Sequence, residues 1–243
     1  MTEKNQNDKI GFDTLDVISD AGKFNRWMFN TIKPYCKGNI LEIGSGIGNI
    51  SQYFLDDNFE ISLSDLSSDY FRILEQKFKG YYNLKGLFTL DFAETELEKK
   101  YPQLIGQFDT VFALNVLEHV PDHEQSIKNC HQLLRSGGNL VILVPAFQSL
   151  FNQFDIGLEH QRRYTPKTLK KVMTIPGFSI IHTQFFNAPG ILGWYISGKL
   201  MGEKAIPGGQ MKLYDQLVPI WKLVDWFLNP LFGLSVICVA KKD

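Results

Sequence analysis

Side chains able to do chemistry cluster in a few short stretches of the 243-residue chain. Glu42 stands next to last in the apolar run 40–43, and Gly44, Gly46 and Gly48 follow at alternate positions, with Ser45 between the first two. A strand that turns tightly into a helix points unpaired N–H groups at whatever lies above the sheet, and glycines let that ligand touch the backbone. The spacing is G-x-G-x-G, and Asn49 stands where a dinucleotide fingerprint has its third glycine. Glu42 would repel a pyrophosphate over this turn and attract an ammonium. Asp65 ends the next apolar run, 61–64, at about the twenty-residue spacing that places a carboxylate against a ribose. Further along stand Asp91-Phe92, then Asn115 with Glu118 and His119, then His160, Arg162, Arg163 and Tyr164. His119 has the ordinary pKa of a general base on a hydroxyl; the competing role is to fix its loop and cap the helix that begins near Asp122. The His-x-Arg-Arg-Tyr run suits an anionic acceptor such as a phosphate or carboxylate, with His160 the foremost candidate. The competing reading pairs one arginine with Glu159 or Asp155 and leaves the rest in water. For Asp91 the competing role is a turn cap.

Holding these groups requires a sheet whose strand ends they share. Apolar runs at 40–43, 61–64, 87–90, 108–114 and 139–144 alternate with helical patterns, which predicts a parallel α/β sheet covered on both faces. Residues 178–186 and 234–241 are two more strand candidates. Ahead of the first strand, residues 1–9 read as frayed and 15–32 as one or two amphipathic helices broken near Gly22, making 1–35 a helical cap in which Phe24 and Trp27 read as core. Ser67, Ser68 and Asp69 are helix caps, and Thr165 followed by Pro166 is a helix start. The charged segment 94–100 reads as a solvated helix face. Periodicity alone supports a doubly wound α/β fold in one domain, 1–243.

The run Ile40-Leu41-Glu42-Ile43-Gly44-Ser45-Gly46-Ile47-Gly48 resembles motif I of the class I S-adenosylmethionine-dependent methyltransferases, and Asn115-Val116-Leu117-Glu118-His119-Val120 resembles their motif IV region. The resemblance implies a Rossmann-like, mostly parallel seven-stranded sheet whose last two strands are antiparallel. It implies S-adenosyl-L-methionine as cofactor, with Glu42, Gly44, Ser45, Gly46 and Gly48 at its methionine end. Asp65 and Leu66 would lie at the ribose, Asp91 and Phe92 at the adenine, and Asn115 nearby. It also implies that the segment 15–32 packs across the sheet and closes over the cofactor, with Trp27 or Phe24 facing the site as the alternative to their core role. His119 and His160 are the candidate bases, with Glu118, Arg162, Arg163, Tyr164 and Trp194 on the acceptor side. In the ubiquinone-biosynthesis O-methyltransferases a Glu-x-x-Glu-His group binds a divalent metal; Asn115 stands here for the first Glu, and no metal ligand is assigned.

The family usually joins its last two strands by a short hairpin. Residues 187–233 form instead an apolar insertion containing three of the four tryptophans, with a run from Leu213 to Leu228 at helical spacing. Three roles are open: a lid on an apolar acceptor pocket, a membrane-surface contact for a lipid-like or lipid-linked acceptor, and a dimer interface. The lid ranks first and the membrane second. A net charge of −1 and a pI near 6.5 argue against nucleic acid as partner. Three scattered cysteines, no signal-like start and no apolar run of about 20 residues predict a cytoplasmic protein, with peripheral membrane contact the second reading. The expected reaction is methyl transfer to a small or lipid-like acceptor, O-methylation slightly favoured. The rivals are a nicotinamide-dependent oxidoreductase, which Glu42 and Asn49 disfavour, and a catalytically silent cofactor-binding module.

Overall fold

A computed structural model describes residues 3–243, with side chains from residue 9 onward. The fraying expected for residues 1–9 lies partly outside the described residues; from Glu3 the backbone is helical. Helices α1 (Glu3–Ser19) and α2 (Gly22–Ile32) lead into β1 (Ile40–Ile43), α3 (Ser51–Asp56), β2 (Ile61–Asp65), α4 (Ser68–Lys77), β3 (Leu84–Thr89) and α5 (Leu97–Lys100). Then follow β4 (Phe108–Leu114), α6 (His123–Leu133), β5 (Leu134–Pro145), α7 (Gln153–Gly157), α8 (Pro166–Met173) and β6 (Phe178–Phe186). The insertion supplies α9 (Gly190–Trp194), a π-helical turn (Tyr195–Leu200), α10 (Gly208–Gln216) and α11 (Val218–Leu228), and β7 (Ser235–Lys242) closes the sheet.

The seven strands lie in the order β3-β2-β1-β4-β5-β7-β6. The first five pair in parallel, and β7 runs antiparallel between β5 and β6. All four residues of β1 are buried, as a central strand covered on both faces demands. Chain reversal between β1 and β4 makes the carboxyl ends of β2, β1 and β4 adjacent, which is where an open α/β sheet holds its ligand. One apolar cluster on each face forms the core, and Cys36, Cys130 and Cys238 are buried free thiols within it.

Local chemistry explains most boundaries. Ser67 caps α4 through the Tyr70 N–H, and Thr165 and Thr168 form a capping box at α8 with Pro166 in the first turn. Phe24 and Trp27 pack on Phe186 in the core. Two readings need correction. The strand placed at 87–90 runs over Leu84–Thr89, because Gly86 and exposed Lys85 hide its start from a hydrophobic scan. The pattern read from Leu213 to Leu228 is two helices, broken where Pro219 enters the first turn of α11.

Candidate active site

The turn after β1 is built by backbone conformations that favour glycine. Gly44, Gly46 and Gly48 have φ of +70°, +55° and +78°. A Cβ on Gly44 would lie 2.4 Å from Val116 Cγ2, so this turn rests directly against the loop that follows β4. A Cβ on Gly46 would meet Leu15 Cδ1 at 3.0 Å, and Asn49 Nδ2 donates to the Leu15 carbonyl at 2.9 Å. The N-terminal helix therefore closes over the glycine turn. Lys77 Nζ donates to the carbonyls of Ile47 and Gly48, a tie that no spacing in the sequence announces.

Three acidic strand ends surround the turn. Glu42 is buried and receives a hydrogen bond from the Ser51 hydroxyl; burial pushes its pKa up to about 8, with Ser51 and Ser45 opposing. Asp65 accepts from the N–H of Gly46 at 2.9 Å and of Ser67 at 2.9 Å, and burial raises its pKa against these bonds. Asp91 accepts from the Ala93 N–H, which makes it a turn cap. Leu66, 65 % exposed, and Asn115, with φ of +54°, stand open at the ends of β2 and β4.

Beyond β4 lies a denser cluster. A parallel bridge between Ala146 and Tyr164 draws residues 160–164 alongside the end of β5. Glu118 is completely buried, and neither carboxylate oxygen has a hydrogen-bond partner. Burial pushes its pKa up to about 8, with Arg163 opposing and Asp155 adding to the rise. Its Oε1 faces His160 Nε2 at 4.0 Å, and the His119 and His160 rings meet edge to face at 4.7 Å. Burial and then His160 depress the His119 pKa to about 4. On its other side, His160 Nδ1 is 2.8 Å from Asp155 Oδ1. Asp155 is clasped by Arg163 through Nε at 2.7 Å and Nη2 at 3.0 Å, and by the Asn152 N–H. Burial works to raise the Asp155 pKa, but bonds from His160 and Arg163 hold it below the usual carboxylate range.

Comparison with known proteins shows what the chain carrying this cluster is similar to. Residues 41–140, which span the glycine turn, the Glu118–His119 loop and the strands between, match a family model described as "Methyltransferase domain". Over those residues the chain carries a class I S-adenosylmethionine-dependent methyltransferase domain. The domain is 31% identical over 144 residues to a hybrid PKS-NRPS synthetase of Talaromyces variabilis, covering 56% of this chain and 3% of that protein. It is 27% identical over 103 residues to the ubiquinone biosynthesis O-methyltransferase of Pseudomonas aeruginosa, covering 42% of each. The chain thus spans less than half the length of these relatives. Among solved structures, the [4+2]-cyclase SpnF superposes with a TM-score of 0.62 at 16% identity, over 90% of this chain and 80% of that one. The sheet order and these neighbours give the methyltransferase domain its Rossmann-like fold.

The cofactor of the domain is S-adenosyl-L-methionine, and the residues present fit it. Side chains of Val116, Leu15 and Phe78 pack directly on the three glycines, so the turn is held tight beneath the opening, and the Asp65 carboxylate, with about four lone-pair sites, keeps two beyond those used by Gly46 and Ser67. Exposed Leu66 and Asn115 flank the same opening. Phe92 is placed differently from the adenine contact expected of it: its side chain is 5% exposed and belongs to the core. On the acceptor side the two guanidiniums expected to bind an anion are already engaged. Arg162 donates to the carbonyls of Val120 and Pro121, and Arg163 is neutralised by Asp155 and lies 4.8 Å from the Trp194 ring. Tyr164 is buried with its hydroxyl 2.8 Å from His123 Nδ1. His160 does join His119 and Glu118. Asp155, which organises all of them, was seen in sequence only as one possible arginine partner, because contacts of five and eight residues' separation carry no periodic signal.

Proposed function

We propose that this domain transfers a methyl group from S-adenosyl-L-methionine to a hydroxyl of a small, lipid-like acceptor. The observation that carries the reading is the packing of Gly44 on Val116, which sets the glycine turn against the loop bearing Glu118 and His119. The bound cofactor supplies an electrophilic methyl on a sulfonium; the chain's own part is to align the acceptor, exclude water and take a proton. An oxygen acceptor must lose its proton, and the buried cluster of Glu118, His119 and His160 is where this chain can accept it. Radiolabelled methyl transfer into fractionated lipid, glycan and small-molecule extracts tests the reaction. Label in a base-stable, ether-bearing lipid fraction is expected, and its loss with Asp65→Ala. Absence of label in every fraction, with S-adenosylhomocysteine still bound, would leave the silent binding module as the better account.

The insertion supports the lipid-like acceptor. Its inner side packs on α2 through Met211, Val218, Tyr214 and Trp221, as a lid would. Its outer side carries Leu192, Leu200, Ile220, Leu223, Trp226 and Phe227 exposed to solvent. Of the insertion's three acids, Asp215 is turned inward to the Phe24 N–H and Asp225 to the Ala188 N–H, leaving Glu203 exposed against four exposed cations, Lys199, Lys204, Lys212 and Lys222. An exposed apolar face with an excess of exposed cations suits an anionic membrane surface. Among the described residues no helix is long and apolar enough to cross a membrane.

A further inference from the structure

We propose that Glu118, His119 and His160 bind a divalent transition-metal ion, with Asp155 as the outer partner of His160. The inference rests on the reading above only for what the ion would act on. Three observations carry it. One donor atom from each of the three residues lies within 4.8 Å of the other two. Donors sharing one ion at about 2.1 Å stand roughly 3–4 Å apart, so the cluster needs to close by about 1 Å. Both Glu118 oxygens are buried without a partner, in a pocket where the Arg163 charge is already spent on Asp155. Finally, the Asp155 carboxylate has its lone pairs facing His160 Nδ1 at 2.8 Å, which puts the ring proton of a neutral imidazole on Nδ1. The Nε2 lone pair then faces the Glu118 oxygen across 4.0 Å, acceptor toward acceptor. A cation between them satisfies both.

Two imidazoles and one carboxylate are the donors of zinc, iron(II) and cobalt(II) sites with open positions. The carboxylate–histidine–metal arrangement, continued here to Arg163, is how proteins fix such an imidazole. The donor set is this chain's own: the exposed Asn115, like Leu158, meets the His119 ring only through its backbone, and the third donor comes from a segment that reaches the site through the Ala146–Tyr164 bridge. An open position on the ion would receive the acceptor hydroxyl and lower its pKa, so that the proton leaves to solvent as the hydroxyl binds, before water is shut out; with the ion bound, the three side chains ligate it in place of serving as the base.

Cobalt(II) is the probe. Untagged, chelator-treated protein titrated with Co²⁺ should bind one ion per chain and develop visible d–d absorption. Glu118→Gln and His160→Gln should each weaken binding at least tenfold, and Asp155→Asn by about 10–100-fold. Heat-stabilisation by S-adenosylhomocysteine, read on the same samples, confirms that each variant is folded. No saturable Co²⁺ binding to the unaltered protein, or equal binding by Glu118→Gln, overturns the site; a proton on Glu118 would then be what separates it from His160. Co²⁺ binding without any response to S-adenosylhomocysteine would instead overturn the methyltransferase reading and leave the metal site standing.

Discussion

At the scale of single residues, the site is governed by groups that burial has taken out of water. Asp155 and Arg163 are both essentially inaccessible, and each is the other's main compensation. Removing one partner of a buried pair leaves the other charge bare, so Arg163→Ala is expected to cost about 3–5 kcal/mol in urea unfolding, far more than Arg162→Ala. Glu42 sets a pH dependence. Its folded-state pKa is raised to about 8 from an ordinary 4.5, so between these values the folded chain holds a proton that the unfolded chain has lost. This contribution to stability is present in full below about pH 4.5 and is lost as pH rises through 8. Urea midpoints of the cofactor-free protein should fall over that window, and Glu42→Gln should flatten the slope. The sequence shows which acids end the strands, because strand ends follow from apolar runs. It does not show that Glu42 meets Ser51 or that Arg163 is spent on Asp155. Those facts depend on how loops fold back.

At the scale of elements, the glycine turn was legible because positive φ selects glycine and the alternation is rare by chance. The strands were legible as apolar runs, save the start of β3. The helical cap was legible as a pattern and its destination only through family resemblance: nothing in the spacing of α1 says that Leu15 will lie on Gly46. That contact has a measurable consequence. Any ligand over the turn must share space with α1, so amide hydrogen exchange in residues 12–19 is expected to change most on adding S-adenosylhomocysteine, ahead of α4 or α6. Exchange unaltered in α1 while the ligand binds would show that the helix plays no part in enclosing it.

At the scale of the whole molecule, the chain presents two unlike faces beyond its core. The insertion carries twelve of the seventeen exposed large hydrophobic side chains among the described residues, between Leu192 and Phe232. Sedimentation with vesicles containing anionic lipid should carry the protein down, and paired Trp226→Ser and Phe227→Ser changes should reduce this several-fold without altering S-adenosylhomocysteine binding. Equal sedimentation by the double variant would remove the membrane from the account. The insertion itself leaves and rejoins the sheet at one point. Leu234 N–H donates to the Asn187 carbonyl at 3.2 Å, and Gly233 lies so close to β6 that a Cβ would meet the Phe186 carbonyl at 2.6 Å. Such a pinched root makes the excursion an exchangeable module: evolution, or an engineer, can graft another loop of any length onto β6 and β7 without re-registering a single strand. Acceptor preference can therefore diversify at this one hairpin while the machinery for the nucleoside stays as it is.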